Sequence, residues 1–185
     1  MTISTIRILP ALAATALAAA ACSSGEAAER WSVSNSQIGP VTARTAFDRD
    51  TLAGLLPGFD VAEAEAWSEG MAYPVIEARR TADGEAEIVF DGEGERLLAV
   101  RVRTAGLVEA SADIGDTAGE AGLVGPLCVA GMEERSGDVH CDDPDIAGLS
   151  YWISVDYAGP DGTLPPADIV AGGTVYEIVW RTVGR

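Results

Sequence analysis

The chain has 185 residues and a formal net charge of −17 at pH 7, and its twelve basic residues are all arginine. Such a negative field repels phosphate backbones and anionic headgroups, so we expect neither a nucleic-acid partner nor electrostatic docking to a membrane. Without lysine there is no Schiff-base chemistry and no phosphate-binding lysine, and no G-x-G-x-x-G motif follows a predicted strand. We therefore expect no nucleotide or other cofactor.

The N-terminal segment has the layout of a signal peptide. Arg7 precedes an almost wholly apolar stretch, residues 8–21, which is too short for a membrane-spanning helix of roughly 20 residues. The stretch and the next residue end in LAAAAC, which resembles the bacterial lipobox, where the cysteine, here Cys22, is acylated and becomes the new N-terminus. Ala19 and Ala21 also satisfy an ordinary small-x-small cleavage site, so release of a soluble protein is the alternative.

Removal of residues 1–21 takes away Arg7 and changes the formal charge from −17 to −18. The residues after Cys22 are small and polar, so we predict a lipidated cysteine and flexible tether over residues 22–36. Residues 37–185 suit a single β-rich periplasmic domain. Ser23 and Ser24 differ from the aspartate-type signals of inner-membrane retention, so the expected location is the outer membrane, facing the periplasm.

The other two cysteines are predicted to pair. If Cys22 carries lipid, Cys128 and Cys141 remain, and the glycines between them suit a chain reversal. A cross-strand disulfide at this spacing stabilises a fold by about 3 kcal/mol. The alternative, a redox or metal-binding pair, lacks the short C-x-x-C spacing.

Alternating polar and apolar residues predict a mainly β fold. Residues 85–90 and 96–103 flank a glycine-bearing connection of hairpin length and are predicted to form an antiparallel pair. Residues 149–157 place apolar or aromatic side chains at odd positions, typical of a half-buried strand. Further strands are predicted at residues 38–43, 59–66, 72–79, 107–112 and 174–181.

Two short helices are also predicted. The first covers residues 46–56, with Thr45 as N-cap and Asp48 three residues later, as in a capping box. The second covers residues 117–123 and contains two glycines, each costing about 1 kcal/mol relative to alanine, so it depends on packing. The order strand, helix, strands occurs twice, which favours antiparallel, sandwich-like sheets built from two related halves.

The C-terminal third has a distinctive order of segments: Cys128 to Cys141, then residues 153–155, 158–165 and 176–181, preceded in the chain by residues 38–43, the predicted helix within residues 45–56, and residues 114–116. This order resembles the sigma-E-regulated envelope lipoprotein family, a bacterial domain of unknown function. The resemblance covers most of the mature chain and implies a mainly β fold, an envelope lipoprotein linked to envelope stress, and no catalytic residues to carry over. The alanine-rich lipobox and the lack of lysine depart from the family.

The sequence offers few groups for catalysis, and we expect no enzyme. His140 is the only histidine, which excludes a three-histidine zinc site. A Ser–His–Asp system would have to use His140 with a serine such as Ser136. The sequence around Ser136 does not have the pattern of a nucleophile elbow. A partly exposed histidine beside the disulfide is the favoured interpretation, although carboxylate pairs for glycoside hydrolysis stay open.

Two surface features are candidate binding sites. Trp152 and Val175 would point outward if their strands alternate regularly, which gives either an apolar patch for a partner or a sheet covered on both faces. Oxygen-rich loops bind calcium, so an acidic segment around the disulfide is the one candidate metal site, with a solvated turn as the alternative. Its members are Asp138, Asp142, Asp143 and Asp145.

These observations favour a non-enzymatic module that binds or braces another envelope component. The alternative is a binder of a small apolar ligand in a cavity between the sheets. A closed, filled core would count against that alternative.

Overall fold

Strands make up most of the regular structure in residues 30–182, the part of the chain that the computed structural model describes. The helices are α1 (Arg49–Leu55) and α2 (Ala167–Gly172). A 3-10 turn covers Glu133–Arg135. The strands are β1 (Trp31–Ser34), β2 (Gln37–Ile38), β3 (Val41–Thr42), β4 (Asp60–Ser68), β5 (Met71–Arg79), β6 (Ile88–Glu93), β7 (Arg96–Val102), β8 (Val108–Glu109), β9 (Cys128–Ala130), β10 (Asp138–Asp142), β11 (Leu149–Ser154) and β12 (Thr174–Arg181).

Two sheets pack against each other, which confirms the predicted sandwich-like β fold with two short helices. The larger sheet has eight antiparallel strands in the order β4-β5-β6-β7-β12-β11-β10-β9. Each predicted half therefore contributes four consecutive strands, and the halves meet where β7 pairs with β12, for example at Val102 and Ile178. The smaller sheet has the order β3-β2-β1-β8 and includes one parallel pair, β1 with β8.

The core lies between the two sheets and is filled with apolar side chains. The larger sheet contributes Phe90, Tyr151 and Trp180, all fully buried, and the smaller sheet contributes Ile38 and Val41. The Trp180 indole N–H donates to the carbonyl of Ser34 at 2.9 Å, so its one polar group also joins the two sheets. The fold thus buries Trp180 without leaving its indole nitrogen unpaired.

Most predicted strands are confirmed. Those at residues 59–66, 72–79 and 174–181 are β4, β5 and β12, and the predicted antiparallel pair is β6 with β7. The predicted strand at residues 38–43 is instead the tight hairpin β2–β3. Its turn contains Gly39 at φ +53, a left-handed conformation that glycine adopts readily.

The first predicted helix starts later than expected. Its N-cap is Asp48 and not Thr45, and the Asp48 carboxylate accepts hydrogen bonds from two amides of the first turn, at 2.8 and 2.9 Å. Ala46 forms a β-bridge with Arg96, which holds the preceding residues in an extended conformation. This long-range contact removes residues 46–48 from the helix.

The second predicted helix, at residues 117–123, is wrong. This segment forms turns, because its amides at Ala118 and Gly119 donate to carbonyl groups at the end of α2 and just after it rather than within a helix. The second helix of the structure is α2, which follows Pro166 as its N-cap.

The folded part of the chain begins earlier than the predicted boundary at residue 37. Strand β1 lies within the predicted tether because Trp31 pairs with Val108 of β8. The predicted signal peptide and Cys22 lie outside the described residues. No helix within residues 30–182 is both long and apolar enough to cross a membrane.

The predicted disulfide is confirmed. Cys128 of β9 and Cys141 of β10 are directly opposite each other and bonded. The bond fastens the short strand β9 to the edge of the larger sheet. Both sulfurs lie in the core, so the bridge also fills space between the sheets.

We predict that the Cys128→Ala, Cys141→Ala double variant loses about 3 kcal/mol of unfolding free energy, since the bond closes a loop with a sequence separation of 13 residues. Urea denaturation measures the loss. Reduction of the wild type should reproduce it, whereas the double variant should not respond to reductant. Equal urea midpoints for the oxidised and reduced wild type would contradict the prediction.

Candidate functional site

The larger sheet has one face on the core and a second face that carries charged and aromatic side chains. Successive side chains of a strand point to opposite faces, so the neighbours of core residues such as Phe90, Val100 and Ile178 lie on this second face. We call it the charged face. Its members include Glu77, Asp91, Arg101, Arg103, Asp138, His140, Trp152, Tyr176 and Glu177, with Arg135 reaching it from the 3-10 turn.

Glu177 of β12 is the centre of the charged face. Its side chain is only 1% exposed, and a buried carboxylate is stable only when it is paired and hydrogen-bonded. Arg103 Nε donates to one of its oxygens at 2.7 Å, and Arg135 Nη2 donates to the other at 2.8 Å. The carboxylate therefore links β7, β12 and the 3-10 turn.

Arg135 connects this carboxylate to the aromatic part of the charged face. Its guanidinium lies 4.9 Å from the ring centre of Trp152 and 5.5 Å from that of Tyr176. The Tyr176 hydroxyl accepts a hydrogen bond from Arg135 and donates one to Asp138 at 2.6 Å. Burial disfavours the charged guanidinium, but Glu177 raises the pKa of Arg135 above its ordinary value. Burial and the Asp138 hydrogen bond raise the pKa of Tyr176, so its hydroxyl keeps its proton.

A second ion pair extends the charged face across β6 and β7. Arg101 Nη2 donates to Asp91 Oδ1 at 2.6 Å, and both side chains are largely buried. Burial raises the pKa of Asp91, and the adjacent Arg101 guanidinium opposes this effect. This pair places further charged groups at the centre of the sheet, where they lie among the buried apolar side chains of Val89 and Val179.

The charged face opens into a cleft of about 600 Å³ beside the 3-10 turn. Guanidinium, carboxylate and phenol groups meet there, so the cleft offers charge-assisted hydrogen bonds and stacking surfaces to a polar or charged group. Its lining residues are Arg103, Glu134, Arg135, Asp138, Ser154, Tyr176 and Glu177.

The two residues considered for nucleophilic catalysis do not form a pair in residues 30–182. His140 is half-buried on the charged face, with its ring centre 4.9 Å from that of Trp152. Ser136 donates its hydroxyl proton to Asp161 at 2.7 Å. His140 and Ser136 therefore contact different residues and do not form a catalytic pair.

The four aspartates of the calcium hypothesis do not converge. Asp138 belongs to the charged face, and Asp142 and Asp145 are exposed. Asp143 is buried, and burial opposes its ionisation; nevertheless, hydrogen bonds from the Tyr151 hydroxyl, at 2.7 Å, and from two turn amides hold the pKa of Asp143 below its ordinary value. Within residues 30–182 no group of three or more histidine, cysteine or acidic side chains is placed to hold a metal ion.

Val175 does not join Trp152 in an outward apolar patch, because the regular alternation assumed for its strand does not hold. The register between β11 and β12 shifts after Trp152, so that Ile153 pairs with Val175 and Tyr176 is left as the extra residue. Val175 consequently points into the core and is fully buried. Trp152 stays half-buried on the charged face.

Sequence reasoning missed the centre of the charged face. Glu177 stands between apolar and aromatic residues of a predicted strand, which was the available signal for a buried carboxylate. Nothing in the sequence indicated that its partners would be Arg103 and Arg135, which lie 74 and 42 residues away.

The fold and the charged face define a two-sheet β domain whose larger sheet bears a polar, aromatic cleft on its outer side. Over residues 23–182 the chain matches the family described as "Protein of unknown function (DUF1131)", and it belongs to this family. The predicted membership of a domain family of unknown function is confirmed, and the link to sigma-E stays a prediction.

The fold is similar to that of the crystal structure of the uncharacterized protein yfeY from Escherichia coli. The TM-score is 0.66 at 21% sequence identity, and the match covers 81% of this chain and 99% of that chain. At this identity the likeness concerns the fold alone. No curated protein matches the chain.

We predict that Glu177→Gln lowers the unfolding free energy by about 2 kcal/mol, because two arginines lose their charged acceptor in a buried setting. Glu93→Gln is the matched control, since Glu93 pairs with Arg96 while 78% exposed and such pairs contribute little. Urea denaturation measures both variants. Equal losses would show that Glu177 has no special structural role.

We predict a pH dependence of stability from His140. Burial, followed by the Arg181 guanidinium, lowers the pKa of His140, although Asp142 acts in the opposite direction. The folded state therefore binds a proton less readily than the unfolded chain, whose histidine titrates at about pH 6.5. As the pH falls below that value, the unfolded chain takes up a proton and the unfolding free energy decreases. The wild type should lose more unfolding free energy than His140→Gln between about pH 7 and pH 5. Parallel curves for the two proteins would contradict this.

Proposed function

We propose that this chain is a lipoprotein of the bacterial envelope, anchored through Cys22 and facing the periplasm, whose β domain binds another envelope component without catalysing a reaction. The N-terminal pattern supports the anchor, because a short apolar stretch with small residues directly precedes Cys22. The pairing of Cys128 with Cys141 fits this assignment, since it leaves Cys22 free for lipid and suits an oxidising compartment.

One observation supports binding at the surface: large aromatic side chains occupy the core, while the cleft on the charged face is open and lined by charged and aromatic groups. Phe90, Tyr151 and Trp180 occupy the space between the sheets and are fully buried. A site for a small apolar ligand needs an apolar-lined cavity. The combination favours a polar partner over the alternative of an apolar ligand held between the sheets.

The cleft is well arranged for such a partner because Arg135 is fixed before binding. Glu177, Trp152 and Tyr176 hold its guanidinium from three sides, so little side-chain entropy remains to be lost on association. Arg103 lies beside it at the same carboxylate. Together they present guanidinium N–H groups, among the carboxylates of Glu134 and Asp138, that an acidic or amide group of a partner can approach.

A crosslinking experiment in intact cells tests both parts of the proposal. A photo-crosslinking amino acid replaces Ser154 in the cleft, or Glu109 of the smaller sheet as control. We expect a discrete adduct from position 154, its loss in Arg135→Gln, and no such adduct from position 109. Intact mass of the recovered protein should show acyl chains on Cys22, and Cys22→Ser should abolish both the acyl mass and the adduct.

A mature protein without acyl chains would contradict the anchor and favour ordinary signal-peptide cleavage. Identical adducts from positions 154 and 109, or none from either, would contradict a binding role for the charged face.

A further inference from the structure

The larger sheet ends in a long edge strand. Its two outer strands are β4, with nine residues, and β9, with three residues that a disulfide ties to β10. Natural proteins usually shorten, cover or charge such edges, because their free backbone groups can pair with another chain. Strand β4 carries charges but is not shortened, so it is the more open end of this sheet.

The backbone groups on the outer side of β4 can be assigned from the hydrogen bonds of β5. The Ala78 carbonyl accepts from Glu87, so even-numbered residues of β5 face β6 and odd-numbered residues face β4. The register of β4 with β5 pairs those odd-numbered residues with even-numbered residues of β4. The N–H and C=O groups of Glu63, Glu65 and Trp67 consequently point away from the sheet.

The residues that carry these outward groups are exposed. Glu63 and Glu65 have exposed side chains, and Trp67 is 67% exposed. Within residues 30–182 no hydrogen bond from another element reaches their backbone groups. Helix α1 lies near β4, but these three residues remain open to solvent.

The two sides of β4 differ in chemistry. The side chains of Glu63, Glu65 and Trp67 lie on one face of β4. Glu63 and Glu65 line a groove of about 690 Å³ together with Phe47, Pro74 and Ile76. The other side has only small residues, the alanines at positions 62, 64 and 66. An added strand would therefore meet two carboxylates and an indole ring on one side, and open space above alanines on the other.

A second copy of this chain is a poor occupant. Antiparallel pairing of two β4 strands centred on Ala64 places Glu63 of one copy opposite Glu65 of the other, and centring on Glu65 places the two Glu65 residues face to face. Like charges directly opposite each other destabilise a strand pair, whereas opposite charges stabilise it. The acidic residues therefore disfavour self-association and favour a basic partner.

We propose that β4 is a docking edge that accepts an extended segment of another protein as an additional strand. Basic side chains of that segment lie opposite Glu63 and Glu65, where Trp67 adds a cation–π surface, and its alternate apolar side chains cover the alanines. This inference goes beyond the proposed function, because it concerns a different surface and a partner segment of basic chemistry. It depends on neither the lipid anchor nor the charged face.

Binding of two short peptides to the full chain, purified in detergent, tests the proposal. The probe is a capped heptapeptide in which four lysines alternate with three valines. The control peptide has the same composition with its lysines at positions 1, 2, 5 and 6, so that no two lysines lie two residues apart on the same face of the strand. We expect the alternating peptide to bind about tenfold more tightly, since only it places charges opposite both glutamates. Amide hydrogen exchange at Glu63, Glu65 and Trp67 should slow when it binds.

Matched variants separate the edge from the general negative field. Glu63→Lys with Glu65→Lys should weaken binding of the alternating peptide by about tenfold or more. Asp83→Lys with Glu85→Lys makes the same change in net charge at exposed positions of the β5–β6 connection and should leave binding nearly unchanged. Glu65→Pro removes one outward N–H and should abolish binding, whereas Glu65→Gln, which keeps the N–H, should only weaken it.

Equal binding of the two peptides, equal losses in the two double-lysine variants, or no binding at all would overturn the proposal. So would a dimer of the free chain in which the three outward amides are already protected. None of these results affects acylation of Cys22 or crosslinking from position 154, so failure of the docking edge is distinguishable from failure of the proposed function.

Discussion

The antiparallel pairing of β7 with β12 holds the two halves of this protein together. Val102 and Ile178 meet on its core side, and on the opposite side Arg103 donates to Glu177. Because side chains alternate along both strands, one register fixes the core and the charged face at once. A shift of one residue would move the charged groups into the core and the apolar groups to the surface.

The buried carboxylate of Glu177 depends on its arginine partners, which reach it only in this register. Removing a charge from water costs free energy that paired arginines recover only when the geometry is good. Here both oxygens have a guanidinium partner, and Arg135 is also stacked on two aromatic rings. The same contacts that satisfy the carboxylate present a rigid guanidinium to the cleft, so the structural and the proposed binding roles share one set of residues.

The negative charge of the chain has different consequences at the two surfaces. On the charged face, acids and arginines are paired, and the cleft carries local charges of both signs. On the edge strand β4 the carboxylates of Glu63 and Glu65 are exposed, and no ion pair involving them is present in residues 30–182. The edge therefore keeps the acidic character of the whole chain, which raises the local concentration of basic segments.

The sequence by itself determined the features that depend on local pattern or on counting: the main strands from alternation and the disulfide from cysteine parity. The predicted lipid anchor at Cys22 also came from the sequence alone. The features that depend on long-range contacts were decided only by the tertiary structure. Because Ala46 forms a β-bridge with Arg96, α1 starts later than predicted. Because Tyr176 is an extra residue in β12, the side chain of Val175 points into the core. The charged face was equally out of reach, because Arg103, Arg135 and Glu177 become neighbours only when the distant strands β7 and β12 pair and the 3-10 turn packs against them.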